Sequence, residues 1–81
     1  MNIRVLFFAG LRQTAGREEL RLRLASGANV LSLQEKLRSD FPGGDRLFPS
    51  VRWAVNHEFA SLETQLQDGD EVALLPPMSG G

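Results

Sequence analysis

Cysteine is absent from this 81-residue sequence, so disulfide staples and thiolate metal sites are excluded. Only one histidine is present, and with no cysteine and no serine in a nucleophile-elbow context a catalytic triad is hard to assemble. Neither sign of charge predominates. Nine Lys and Arg stand against ten Asp and Glu, for a net charge of −1, which gives no general attraction to phosphate backbones and argues against nucleic acid as a partner. No long hydrophobic run occurs. The longest, Val5 to Leu11, falls far short of the roughly 20 residues that span a bilayer, so no membrane segment is expected. Arg4 interrupts the apolar start, and no cleavage site of small residues follows a longer apolar stretch, so a signal peptide is not expected either. The expected location is the cytoplasm, in keeping with the missing cysteines.

What is present is ordinary globular composition, 42% apolar and 23% charged, enough for a single core without disorder. Ile3, Val5 and Phe7 alternate with Arg4, Leu6 and Phe8, which predicts a strand over Asn2 to Phe8. A short helix is expected over Ala9 to Ala15, ended by Gly16. Glu18 to Leu24 alternates again, with Leu20, Leu22 and Leu24 on one side, giving a hairpin-like start. Beyond the breaker Ser26, Gly27, Ala28, the spacing of Val30, Leu33, Leu37 and Phe41 predicts an amphipathic helix. Asn29 is its preferred cap, with Ser32 and Glu35 a competing capping box. Pro42 stops it before a Gly43, Gly44 loop.

Val51 to Asn56 reads as a short strand with Val51, Trp53 and Val55 inward, followed by an irregular segment from His57 to Gln67. Asp68, Gly69 signals a turn. Glu71 to Leu75 is a last strand, halted by Pro76 and Pro77. Two strands, a helix and further short strands make an α+β fold of the β-grasp, ubiquitin-like plan, in which one helix covers one face of a mixed sheet. In that plan the first and last strands are central neighbours. The domain is expected over 1–75, with 76–81 as a flexible tail.

The alternation leaves Phe8 and Leu75 on the uncovered face beside Arg4 and Glu71, where Phe59 could join them. Scattered surface apolar residues are common, whereas a cluster marks a partner site. The other candidates for chemistry are plain. His57 reads as a surface-loop histidine beside Glu58. Asp68, Asp70 and Glu71 lack calcium-loop spacing and read as a turn. No serine sits in a nucleophile elbow. Gly10 and Gly16 make no phosphate loop, and Trp53 reads as core.

The ending Pro76, Pro77, Met78, Ser79, Gly80, Gly81 is either a frayed terminus or a device. A central strand leads into a stiff proline pair and then residues without side chains. Six extended residues reach roughly 20 Å, far enough to enter another protein's active site. The glycines let the backbone pass through a narrow channel and leave the terminal carboxylate unobstructed. That carboxylate is inert until its oxygen becomes a leaving group, and this chain has no loop with which to activate it by ATP. A separate enzyme is therefore required. Once adenylated, Gly81 can accept an amine or a sulfur nucleophile, and in a chain without cysteine a transferable sulfur would sit on that carbonyl carbon.

The start NIRVLFFAGLRQTAG, the dipeptide Val55, Asn56 and the ending DGDEVALLPPMSGG resemble the small sulfur-carrier subunit of molybdopterin synthase, the MoaD type of the ubiquitin-like, ThiS-like family. The resemblance covers essentially the whole chain. It implies that Gly81 is adenylated by a ubiquitin-activating-like adenylyltransferase that uses ATP. A sulfur donor then converts it to a thiocarboxylate. The tail, with Ser79 and Gly80 threading a channel, enters the large synthase subunit in a heterotetramer and gives its sulfur to cyclic pyranopterin monophosphate, in molybdenum cofactor biosynthesis. It further implies that Phe8, Phe59 and Leu75 form the partner-binding surface, that the chain binds no cofactor and that it is not catalytic alone. Leu75 and Met78 stand where relatives often carry an aromatic residue or valine, which bears on partner choice. Two alternatives remain: a carrier for thiamine or tRNA thiolation, and a ubiquitin-like interaction module without covalent chemistry.

Overall fold

Strand β1 (Asn2–Phe7) sets the inside and outside of the molecule. Its inward residues Ile3, Val5 and Phe7 are almost fully buried, while Arg4 is exposed and Leu6 half-buried. The structure is a computed structural model that describes residues 1–8, 16–40 and 51–76. β2 (Glu19–Arg23) runs antiparallel to β1, with Leu22 opposite Ile3 and Leu20 opposite Val5. Gly16 enters it with φ of 75°, a left-handed conformation that suits a residue without Cβ.

Helix α1 (Val30–Asp40) buries Val30, Leu33 and Leu37 completely, the stripe that three- and four-residue spacing places on one side. Of the two possible caps, Asn29 is the one used. The Ser32 amide donates to Asn29 Oδ1 at 2.9 Å, and the Asn29 amide donates back to Ser32 Oγ at 3.2 Å. This is a reciprocal capping arrangement with serine in the usual place of glutamate. The Val30 and Leu31 amides, which no intrahelical acceptor can satisfy, donate to the carbonyls of Thr64 and Leu62 at 3.0 and 2.9 Å. The segment after residue 60 is thereby tied to the helix start and delivers Leu66 into the core.

β5 (Glu71–Leu75) lies between β1 and β3 (Arg52–Val55), parallel to the first and antiparallel to the second. The strand order is β2-β1-β5-β3, with β4 (Glu58–Ala60) at the edge beyond β3, so the expected central pair of first and last strands is present. Val72 and Leu74 face the helix at full burial, and Trp53 is core. Together these elements make the β-grasp fold.

One expectation is corrected. The segment after Asn56 was expected to be irregular, yet β4 (Glu58–Ala60) pairs antiparallel with β3, placing Phe59 opposite Ala54. The connection is a two-residue turn in which Asn56 and His57 have φ of 50° and 73°, both positive as the hairpin turn matching strand twist requires. The usual second residue there is glycine; histidine conceals the signal, and three residues are too few to show alternation.

The Asp68, Gly69 turn is present, with Gly69 at φ of 88°, but it docks on the start of β1 instead of closing a hairpin. Asp68 Oδ1 accepts from the Asn2 amide at 2.6 Å, and the Gly69 amide donates to the Asn2 carbonyl at 2.8 Å. Asp70 accepts from the Gln67 amide and from Asn56 Nδ2, so these acids close turns. The expected helix over 9–15, the Pro42 stop with its glycine loop, and the chain beyond Pro76 lie outside the described residues. Among the described residues no helix is long and apolar enough to cross a membrane.

Candidate functional site

The helix covers one side of the sheet, and the other side carries a register row of side chains. Leu6 pairs with Ala73, Ala73 with Ala54, and Ala54 with Phe59, in line across β1, β5, β3 and β4. The next row contains Leu75, opposite Arg52, and Phe8, whose amide donates to the Leu74 carbonyl at 3.3 Å. Small residues in the middle and large ones around them form an apolar hollow of about 220 Å³. Ala54 and Ala73 make its floor; Leu6, Phe8, Phe59 and Leu75 stand around it, with His57 and Glu71 at one side.

Phe8, Phe59 and Leu75, singled out in the sequence, are thus brought together. Phe59 is 66% exposed and Phe8 40%, while Ala54 between them is 8% exposed. Large apolar side chains standing proud over a closed floor form a contiguous patch of the sort that marks a docking surface. Burying such a side chain from full exposure is worth roughly 1.5–3 kcal/mol, so covering what remains open of each partly buried one contributes a fraction of that. Sequence reading missed the floor. The signal available was alanine at the outward positions of two central strands.

A charged ladder borders the hollow toward β2. Arg4 Nε donates to Glu19 Oε1 at 2.7 Å and Arg4 Nη1 to Glu71 Oε2 at 3.3 Å. Arg21 Nε also reaches Glu19, at 3.4 Å. The hydrogen bond from Arg4 holds the Glu19 carboxyl below its ordinary range, and Glu19 in turn raises Arg4. His57 Nε2 lies 4.0 Å from Glu71 Oε1 on a side chain that is 86% exposed, so the surface position expected for this residue is the one it has. At the opposite border the Arg52 guanidinium stands 4.3 Å from the centroid of the Phe59 ring, a cation–π contact. No group of three or more potential metal ligands converges among the described residues. Ser79, Gly80 and Gly81 lie outside the described residues. β5, which ends at Leu75 beside the hollow, leads into Pro76 and that segment.

A ubiquitin-like β-grasp domain with an apolar hollow at the end of its last strand is the class these features define. The ThiS family model matches residues 5–81. A molybdopterin synthase sulfur carrier subunit from Chlamydomonas reinhardtii is 37% identical, with all of this chain and all of that protein covered. SAMP1 from Haloferax volcanii superimposes with a TM-score of 0.87 at 28% identity, covering 100% of both chains. A chain from the complex of subunits 1 and 2 of the molybdopterin-converting factor of Helicobacter pylori 26695 gives a TM-score of 0.73 at 26% identity, again covering 100% of both. The chain belongs to the ThiS family, alongside the molybdopterin synthase sulfur carrier subunits.

Proposed function

We propose that this chain is the sulfur-carrier subunit of a molybdopterin synthase, working in the cytoplasm and inert until another enzyme activates it. The Gly81 carboxylate attacks the α-phosphorus of ATP on a ubiquitin-activating-like adenylyltransferase, and pyrophosphate leaves. A sulfide-level sulfur nucleophile from a donor then attacks the carbonyl carbon and AMP leaves, so a C–S bond replaces the C–O bond to phosphate. Inside the large subunit the sulfur passes to cyclic pyranopterin monophosphate, and water returns the oxygen that restores the carboxylate. Ser79 and Gly80 thread the partner's channel, Phe8, Phe59 and Leu75 hold the partner, and 76–81 acts as the tail of a domain over 1–75.

The observation that carries this reading is convergence at one place. β5 ends at Leu75 inside the apolar patch, so a partner gripping the patch also receives whatever follows Pro76. The 37% identity to a sulfur carrier subunit along the whole chain supports the chemistry, and the two-subunit Helicobacter complex supports a large-subunit partner.

The test is intact mass after incubation with the activating enzyme, ATP and a sulfur source. Replacement of one oxygen by sulfur, mapped to Gly81, is the expected result. A persistently unmodified C-terminus overturns the proposal. Addition of purified large subunit and pterin substrate then distinguishes this role from thiamine or tRNA thiolation, since only the former yields molybdopterin.

A further inference from the structure

Two arginines border the apolar hollow, and they are held differently. Arg4 is clamped between Glu19 and Glu71. Arg52 has no described carboxylate within ion-pair distance; its contact is the Phe59 ring, 4.3 Å away. A cation resting on an aromatic face keeps its in-plane N–H groups directed outward and available. Its position is also specific. Arg52 is opposite Leu75, the last residue of β5, and Phe59 is opposite Ala54 on the floor of the hollow.

A protein that covers Phe8, Phe59 and Leu75 therefore covers Arg52 as well. Taking a guanidinium out of water without a counter-charge costs more than neighbouring apolar contacts return, whereas a carboxylate can accept its paired N–H groups in one plane. Arg4 can be covered without such help, because its carboxylates travel with it. The geometry points to a partner that presents an acidic side chain to Arg52 while an apolar side chain of the same partner enters the hollow above Ala54 and Ala73. The inference rests on the reading of this face as the docking surface and adds the chemistry of what docks there. Arg52 is the specificity element: it admits partners with a carboxylate at that point and penalises those with a cation.

Three variants and the matching large subunit test it, with affinities measured by calorimetry at about 50 and about 500 mM salt. Ala73→Leu fills the hollow and reports on the face itself; near-ultraviolet circular dichroism checks that it folds, and Phe8→Asp replaces it if it does not. This variant should bind at least about tenfold more weakly than the wild type. Arg52→Leu and Arg52→Glu both remove the stack on Phe59, so a purely structural role for Arg52 predicts equal losses. A carboxylate opposite predicts that Arg52→Glu binds at least about tenfold more weakly than Arg52→Leu, roughly 1.4 kcal/mol. It also predicts that added salt weakens the wild type more than Arg52→Leu. Equal affinities and equal salt responses of the wild type and Arg52→Leu, with Arg52→Glu no worse, overturn the inference while the docking face stands. Undiminished binding by folded Ala73→Leu and Phe8→Asp overturns the face, and the inference with it.

Discussion

Asn56 and Glu71 exchange hydrogen bonds: the Asn56 amide donates to the Glu71 carbonyl at 2.8 Å, and the Glu71 amide donates to Asn56 Oδ1 at 3.0 Å. Asn56 Nδ2 adds a third bond, to Asp70 Oδ1 at 2.8 Å. One side chain thus locks the β3–β4 turn to the start of the strand that leads to the tail, while its own backbone sits at φ of 50°. Asparagine combines tolerance of that conformation with a donor and an acceptor three bonds from its Cα.

Asn56→Ala should therefore destabilise the fold by about 2–3 kcal/mol, from two side-chain hydrogen bonds at about 1 kcal/mol each and a left-handed alanine at about 1 kcal/mol. Asn56→Gly removes the bonds but relaxes the backbone, and should lose about 1 kcal/mol less. Urea unfolding monitored by Trp53 fluorescence measures both. Equal losses for the two variants would show that the turn conformation carries no strain.

Glu19 offers a pH test. Its hydrogen bond from Arg4 lowers the carboxyl pKa in the folded chain, so the contribution to stability is present above the unfolded carboxylate pKa and disappears as pH falls through the folded value. Carboxyl-carbon NMR should show Glu19 titrating below the ordinary glutamate range, and Arg4→Gln should move it upward. Because the pair is exposed, the effect on global stability is small; an unmoved Glu19 titration in Arg4→Gln would dissociate the shift from the ion pair.

Phe8→Asp separates docking from folding. Phe8 is 40% exposed and stands on the side away from the helix, so the free variant should stay within about 1 kcal/mol of the wild type in unfolding free energy. In the complex the carboxylate would be buried without a partner, and a hot-spot loss of about 2–4 kcal/mol is expected, readable as a drop in affinity of about 30-fold or more. Retained affinity would move the interface to another surface.

The contrast between what the residues announced and what they concealed follows the physics of each segment. β1, β2, α1 and β5 were legible because each buries one side against the same core, which imprints a two-residue or helical period. The uncovered face was legible for the same reason, since alternation that sends Val5 and Phe7 inward sends Phe8 outward. β4 was not, because its turn uses His57 where glycine would have signalled it and its one large side chain, Phe59, points away from the core. The floor of the hollow was silent too: alanine is unremarkable in any strand, and only the register that aligns Ala73 with Ala54 gives it meaning. The cation at Arg52 acquires significance only once Phe59 is paired beside it.

The same logic of local bonds with distant consequences applies to Asn29. Its side chain caps α1 through the Ser32 amide, its own amide donates to Ser32 Oγ, and its backbone forms an isolated bridge with Gln65. Asn29→Ala removes the acceptor but not the bridge, so a cap loss of about 1 kcal/mol is expected. Asn29→Asp retains an acceptor and adds a negative charge at the helix N-terminus, where the macrodipole favours it, and should restore most of that loss. Amide hydrogen exchange localises the effect. The Ser32 amide should lose protection in Asn29→Ala, whereas Val30 and Leu31, which donate to Thr64 and Leu62, should follow only the global stability. If all three exchange faster by the same factor beyond that global change, the 62–66 segment depends on the Asn29 side chain as well, and the cap is the clasp of this whole corner of the fold.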